Sequence, residues 1–286
     1  MAKFFFNRNN DQDTAEMGFV DHLEALRWHI VRSILAILVF AVLIFWQHAW
    51  VFDNIIAGPI NPNFVSYKGF CNLSHFLHIG DALCMPPLQV SMQTTTFGGQ
   101  FLSLFTIAFV GGFMVAFPYI FWEFWRFIRP ALKPKELKHT KFVIFWVSFF
   151  FFCGAAFGYF VLAPFTFNFL ANFQISGLNI MVTKPTLDDY LSNLSDILLG
   201  CGLAFELPVV SFALTKVGFI SPRFLRKYRR YAIVIILFIA AFITPSPDWI
   251  SQTIVFIPLM SLYEISIWVS SKAKKDQEKK DQEEWS

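Results

Sequence analysis

The sequence predicts an all-α integral membrane protein with six transmembrane helices and both termini in the cytoplasm. Hydrophobic residues make up 56% of the 286 residues and charged residues only 15%, which is too apolar for an ordinary soluble domain. Several continuous apolar windows approach the length of about 20 residues that a helix needs to cross a bilayer. Lys and Arg are also concentrated in alternate loops, as expected of a multi-pass membrane protein.

The apolar windows give the order of the predicted helices. We expect spans at about 28–48, 101–127, 142–169, 192–215, 231–243 and 249–269. The fifth is short, because it would extend only about 20 Å at about 1.5 Å per residue. We expect it to span where the bilayer thins or where Arg229 and Arg230 reach the interface. The segment "TPSPD" then turns it directly into the sixth span.

Basic residues predict the orientation, since Lys and Arg are retained on the cytoplasmic side. With the N-terminus inside, the inner segments and adjoining helix ends hold 21 of the 23 Lys and Arg, leaving only Lys68 and Lys184 outside. Residues 49–100 then form a long outer loop. Residues 1–270 form a single membrane domain, and we expect the charged tail 271–286 to be disordered. We expect no cleavable signal peptide before the first span.

The outer loop contains two cysteines and two histidines close together, Cys71, His75, His78 and Cys84, in "CNLSHFLHIGDALC". Thiolate and imidazole groups can hold zinc, but this spacing is not that of a common zinc signature. A Cys71–Cys84 disulfide is the more economical interpretation outside the cytoplasm, and two free thiols are a third. The sequence has no nucleotide-binding, hydrolase or metalloprotease motif. We therefore expect a protein that is not an enzyme, with no cofactor, no metal and no nucleic-acid partner.

Charged residues mark the cytoplasmic edge at two places. In "DHLEALR", Asp21, Glu24 and Arg27 lie about one helical turn apart, as in an amphipathic lead-in to the first span. After the second span, Pro130 ends the helix and Glu136 follows among lysines in "FIRPALKPKE". Taken singly, these residues are also typical of a snorkelling helix start and of a solvated loop.

Four motifs occur in order: "DHLEALR" before the first span, "FIRPALKPKE" after the second, "AFELPVV" in the fourth and "ITPSPDWISQT" between the fifth and sixth. Together they resemble the TatC family, the multi-spanning receptor subunit of the twin-arginine protein translocase, over residues 18 to 270. The resemblance implies a concave six-helix receptor in the cytoplasmic inner membrane. Such a receptor binds the twin-arginine signal peptides of folded proteins. It also implies assembly with single-span TatA/TatB-type subunits and further copies of the chain among membrane lipids, for export driven by the proton motive force.

The resemblance also implies which residues bind the signal peptide. Glu136 matches the family acid after the second span. The other family acid, in the pattern His-Leu-x-Glu-Leu-Arg, falls at Ala25, and a neighbouring helix position such as Glu24 points about 100° away. We expect Glu24, with Asp21, to substitute in part and Glu136 to carry more of the recognition. Carboxylates suit this role because they accept paired N–H bonds from guanidinium groups.

Four further residues match family positions. Phe127 is either a peptide contact or a lipid anchor beside this site. Arg27 holds either the acids of its own segment or lipid phosphates. On the outer side, Pro59 in "IAGPI" is equally typical of a rigid turn. Asp248, between the last two spans, is equally typical of an ordinary turn residue.

Polar residues inside the spans complete the candidates. The resemblance suggests that a face bearing Thr244, Gln252 and Thr253 receives a single-span partner, with hydrogen bonds inside the chain as the alternative. Glu206 should face protein or water, because an acid at the centre of a span costs about 2.5–3.5 kcal/mol on insertion scales. Pro208 predicts a bend beside it. Glu206 is then a partner contact or, if the chain is instead a secondary transporter of a small solute or ion, the coupling site.

Overall fold

The computed structural model describes residues 19–76, 78, 80, 84, 92–128, 140–173, 184–216, 218–244 and 249–285. Within these ranges the regular structure is helical, apart from an isolated bridge between Gln93 and Thr186. The α-helices are α1 (Phe19–Trp46), α2 (His48–Val51), α3 (Val65–Phe76), α4 (Gly99–Ile128), α5 (Thr140–Phe157), α6 (Ala163–Asn172), α7 (Leu187–Ala204), α8 (Leu207–Lys216), α9 (Pro222–Lys227), α10 (Arg229–Ile243) and α11 (Trp249–Trp285). π-helical turns cover Phe52–Ile56 and Gly158–Leu162, and a 3₁₀ turn covers Gly58–Ile60.

Helix length and composition agree with most of the predicted spans. Five described helical segments are long and apolar enough to cross a membrane: Glu24–Trp46, Gly99–Ile128, Val143–Asn172, Leu187–Lys216 and Trp249–Lys275. They correspond to the first four predicted spans and the sixth. The predicted fifth span is α10, whose 15 residues extend only about 22 Å. The all-α class is confirmed, while the count of six spans and the cytoplasmic position of the termini stay predictions.

The core lies where α6, α7, α10 and α11 meet. Leu194 and Ile197 of α7, Ala240 of α10 and Leu259 of α11 are all at most 2% exposed and belong to one cluster. By contrast, α1 leaves large apolar side chains such as Leu35 exposed along its length. A water-exposed helix would not carry such a face, whereas lipid solvates it without cost.

Helix α1 packs antiparallel along α4. His29 contacts Glu123 at one end of the pair, and the rings of Phe45 and Phe105 lie 5.7 Å apart near the other. Gly112 lies where the two backbones come close, because a Cβ atom there would lie 2.8 Å from the backbone nitrogen of Ala41. A residue without a side chain lets the two backbones meet, as is common between membrane helices.

Glycine also permits the contact between α5 and α7. A Cβ atom on Gly154 would lie 2.5 Å from the carbonyl oxygen of Cys201. We expect Gly154→Ala to destabilise the protein by about 1–3 kcal/mol, because this oxygen belongs to a helix backbone and moves only if α7 shifts. Thermal unfolding of the purified protein in detergent measures the effect. Gly69→Ala is the control, since a Cβ there meets nothing within 4 Å, and equal losses in both variants would contradict the prediction.

The fourth long segment is interrupted between α7 and α8, at Phe205 and Glu206. The amide of Glu206 donates to the carbonyl of Leu203, three residues earlier, at 3.1 Å, so the turn is tightened here. Pro208 has no amide hydrogen with which to continue the regular helical ladder. The sequence predicts a bend at Pro208, and the structure has a break in the helix directly beside Glu206.

Three tyrosines hold the backbone of residues 55–59, which the sequence predicts to lie on the outer side, in an arrangement we call the outer cap. Each hydroxyl donates to a backbone carbonyl at 2.6 Å: Tyr67 to Pro59, Tyr159 to Ile55 and Tyr190 to Ile56. The tyrosines belong to different parts of the chain, and Pro59 itself is buried in a tight turn. The structural role expected of Pro59 fits this position, whereas Asp248 lies outside the described residues.

The charged tail differs from the prediction of disorder, because α11 continues as one helix to Trp285. Lys and acidic residues recur four apart in the sequence of this tail, a spacing that supports a helix. The tail also extends a helix that is already formed, so it avoids the cost of nucleating a new one. The expectation of a disordered segment 271–286 is therefore corrected for the residues up to Trp285.

Candidate functional site

The first candidate site lies near the beginning of α1. Glu24 and Arg27 are exposed there, while Ala25, at the family acid position, is half-buried. The departure from the family pattern therefore moves the carboxylate onto a more exposed face of the helix. Asp21 lies in the first turn of α1, but its side chain and the whole of Glu136 fall outside the described residues.

A buried acid, Glu123, lies close to the beginning of α1, at the end of the α1–α4 helix pair that we call the edge. Glu123 of α4 is only 1% exposed, and its Oε2 atom lies 2.5 Å from Nδ1 of His29 in α1. The hydroxyl of Tyr119 donates to Oε1 at 3.1 Å, and Nη1 of Arg126 lies 3.4 Å from the same oxygen. A buried carboxylate is tolerated when both oxygens are hydrogen-bonded, and here donors from two helices provide that.

Two arginines extend this cluster toward the surface. Arg126 lies over the Trp122 ring at 5.5 Å, and Arg32 of α1 places Nη1 at 3.9 Å from Glu123 Oε2. Both side chains are about half exposed. Because Glu123 is already surrounded by donors of this chain, it is not open to an incoming cation, whereas the exposed carboxylate of Glu24 is.

Phe127 belongs to the same edge. Its ring centre lies 6.2 Å from that of His29 in a T-shaped arrangement, and the side chain is half-buried. Since α1 and α4 run antiparallel and His29 meets Glu123, the start of α1 lies at the end of α4 that carries Phe127. Of the predicted peptide-binding residues, the structure thus brings Glu24, Arg27 and Phe127 to one end of this helix pair.

Sequence reasoning missed Glu123 and His29. The signal was present, because Glu123 interrupts the aromatic run "FWEFWRF" just before the end of a span. An acid within a membrane helix needs a partner, and the same rule did identify Glu206. The partner itself is 94 positions away, so the pairing depends on how two helices face each other.

The second candidate site surrounds Glu206. Its side chain is buried, with 7% exposed, and lies against the backbone of Phe151 in α5. Among the described residues, the Oε1 atom of Glu206 has no hydrogen-bond partner. A buried polar atom without a partner is costly, so this oxygen can receive a donor from outside the described chain.

The other intramembrane candidates bond within the chain. Thr244 donates to the carbonyl of Ala240 at 2.9 Å, and Thr253 donates to that of Trp249 at 2.6 Å, each within or next to its own helix. The Gln252 amide of α11 donates at 3.2 Å across to α10, to the carbonyl of Leu237. No contact described in the structure joins any of the three to Glu206. These three residues thus make hydrogen bonds inside the chain, which was the alternative to binding a partner. The bond of Gln252 links the last two helices.

The outer cysteines are joined, because Cys71 and Cys84 form a disulfide. Their sulfur atoms and a ring nitrogen of His75 lie within 4.8 Å of one another. Both sulfurs are engaged in the covalent bond, so in this state they are not thiolate ligands for a metal.

The sequence is similar to a known protein family over most of its length. The family model described as the Sec-independent protein translocase protein TatC matches residues 21–258. A TatC protein of Blattabacterium sp. subsp. Periplaneta americana is 38% identical over 89% of this chain and 95% of its own length. One of Carboxydothermus hydrogenoformans is 33% identical, over 89% and 93% respectively.

A solved structure agrees with these sequences. The crystal structure of a twin arginine translocase receptor, TatC, is 32% identical and covers 88% of this chain and 99% of its own, with a TM-score of 0.68. The membrane helices and the family together make this a multi-pass membrane protein and a component of protein transport rather than a catalytic enzyme. The chain belongs to the TatC family of Sec-independent protein translocase proteins.

Proposed function

We propose that this chain is the receptor of a twin-arginine translocase in the cytoplasmic inner membrane. It binds the twin-arginine signal peptides of folded proteins at its cytoplasmic edge. It then assembles with single-span TatA/TatB-type subunits and with further copies of itself, and the proton motive force drives export. The observation that carries the proposal is the edge of α1 and α4, where exposed Glu24 and Arg27 lie at the same end as Phe127.

The chemistry of the edge supports this ligand. Two adjacent guanidinium groups present forks of N–H donors, which carboxylates accept in pairs. Glu123 is enclosed by His29, Tyr119 and Arg126, so the peptide must use other acids. Glu24 is exposed at this edge, and Glu136 is the second acid that the family resemblance implies.

Photo-crosslinking tests the proposed site. A photoreactive residue at position 24, 27 or 127 should crosslink to a twin-arginine signal peptide and much less to the same peptide with two lysines. Phe242 is the control position, because it is 90% exposed and belongs to α10, which is not one of the two helices that form this edge. If the edge positions gave no more crosslink than Phe242, the assigned site would be wrong.

Partner docking is proposed for the short α10 and the start of α11. Phe238 and Phe242 are 74% and 90% exposed on α10, which leaves an apolar face open to a neighbouring membrane helix. Gln252 links α11 to this helix by its bond to the Leu237 carbonyl. Thr244, Gln252 and Thr253 already donate within the chain, so a partner would meet their oxygens as acceptors. Hydrogen bonds between membrane helices average about 0.6 kcal/mol, so such contacts orient a partner more than they bind it.

The second candidate function is a secondary transporter, in which Glu206 is the coupling site. The observation that favours it is the buried Oε1 atom of Glu206, which has no hydrogen-bond partner among the described residues. We expect Glu206→Gln to export a folded twin-arginine reporter at close to the wild-type level. The amide keeps the shape and hydrogen-bonding capacity of a docking contact but cannot carry a proton. Asp196→Asn is the control, since Asp196 is an exposed acid on α7. Loss of export by Glu206→Gln, with normal co-purification of the partner subunits, would instead support ion coupling.

A further inference from the structure

A basic cavity of about 710 Å³ lies between the beginning of α10 and the distal part of α11. Four cationic side chains line it: Arg226, Arg229, Lys272 and Lys275. Of the described residues that line the cavity, only Glu264 is acidic, and it forms an ion pair with Arg229 at 2.8 Å. Among the described lining residues, Arg226, Lys272 and Lys275 have no acidic partner, and Lys272 lies over the Trp268 ring at 5.7 Å. This concentration of positive charge favours an anionic ligand.

The cavity lies at the depth of the lipid headgroups. Trp249 and Trp268, at 79% and 66% exposed, stand about 28 Å apart along α11 at about 1.5 Å per residue. That distance matches a hydrocarbon core of about 30 Å, and exposed tryptophans prefer its two boundaries. Trp268 and Ile267 form the apolar part of the lining. Lys272 and Lys275 follow Trp268 within two helical turns, at the end that the excess of basic residues assigns to the cytoplasm.

The walls of the cavity are held in place by hydrogen bonds between helices. The hydroxyl of Tyr263 on α11 donates to the carbonyl of Leu225 on α9 at 2.7 Å. The hydroxyls of Thr215 on α8 and Ser270 on α11 lie 2.6 Å apart, and Ser270 is fully buried. Arg226 and the lysines therefore project from helices that are already fixed, which lowers the cost of ordering a ligand.

We propose that this cavity binds the phosphate headgroup of an anionic phospholipid from the cytoplasmic leaflet. The phosphate lies among Arg226, Lys272 and Lys275, while the glycerol and the first part of the acyl chains lie along Trp268. Basic pockets between membrane helices on the cytoplasmic side suit this class of lipid. The Arg229–Glu264 pair closes one side and stays intact on binding.

Lipid titration of the purified full-length protein in detergent tests the proposal. Phosphatidylglycerol should bind at least about tenfold more tightly than phosphatidylcholine, because only the former carries net charge. The double variant Arg226→Ala, Lys272→Ala should lose that preference. The matched control is Arg223→Ala, Lys227→Ala, which removes the same charge from α9 without touching the cavity lining. The charge-preserving variant Arg226→Lys, Lys272→Arg should retain the preference, so misfolding cannot imitate the result.

Three outcomes would overturn the assignment. Equal affinity for the two lipids would show that no headgroup site exists. An equal loss in the cavity variant and its control would mean that diffuse surface charge attracts the lipid. Displacement of phosphatidylglycerol by an equal concentration of inorganic phosphate would identify a soluble anion, and not a lipid, as the ligand.

Discussion

Replacing Glu123 with alanine is expected to destabilise the protein by about 3 kcal/mol. The change leaves the His29 ring and the Tyr119 hydroxyl without their acceptor and opens a space at a residue that is 1% exposed. Breaking a buried pair by removing one partner costs about 3–5 kcal/mol. The lower end applies here, because Arg126 is about half exposed and can turn to solvent. Thermal unfolding in detergent, compared with wild type, measures the loss.

Two matched variants separate the causes of this loss. Glu24→Ala removes the same charge from an exposed position at the same edge and should change stability by less than about 0.5 kcal/mol. Glu123→Gln keeps the volume and one acceptor, so it should recover part of the loss. If Glu123→Ala and Glu24→Ala unfolded at the same temperature, the contact of Glu123 with His29 would contribute nothing to the pairing of α1 with α4.

The second large effect concerns binding of the signal peptide. Glu136→Ala is expected to weaken binding of a twin-arginine peptide at least about tenfold, since a hydrogen bond to a charged group contributes about 1.5–3 kcal/mol. Glu24→Ala should weaken it less, because Glu24 stands beside the family position at Ala25 rather than on it. Fluorescence anisotropy of a labelled peptide with the purified protein gives both affinities. This ranking rests on the family resemblance for Glu136.

A restoring variant strengthens that comparison. Ala25→Glu places an acid at the family position and should tighten binding relative to wild type, provided that Glu24→Ala is combined with it to keep the net charge. The peptide with two lysines should bind weakly to all variants, since lysine lacks the planar fork of arginine. Intact binding by Glu136→Ala together with lost binding by Glu24→Ala would reverse the proposed ranking.

The long apolar helices and their order could be predicted from the sequence because a bilayer demands long apolar runs. Predicted limits of 101–127 and 231–243 agree with α4 and α10 within two residues. The helical tail was missed because low hydrophobicity argues for disorder in isolation, while an existing helix can be extended at little cost.

The candidate sites were predictable to different degrees. Glu206 and its helix break follow from an acid and a proline in one span, which are local features. The pairing of His29 with Glu123 and the tyrosines of the outer cap depend on the rotation of helices far apart in sequence. The hydrophobic periodicity of a helix does not show which of its residues face a distant helix. These contacts could therefore be found only in the structure.

With the orientation that the basic residues predict, the outer cap lies on the side opposite the cytoplasm, which the proton motive force of the proposed function makes acidic. Burial raises the pKa of Tyr67, which lies outside the spans, to about 12. Its hydrogen bond to Pro59 is therefore fully present below about pH 10, the unfolded value, and is lost only as the pH rises through about 12. In the proposed receptor, the predicted outer end is thus held by a hydroxyl that stays protonated on both sides of the proton gradient, whereas the predicted inner end is held by the contacts of Glu123 with His29 and Arg126. For the proposed function, we accordingly expect movements to begin at the predicted inner end while the outer cap stays fixed.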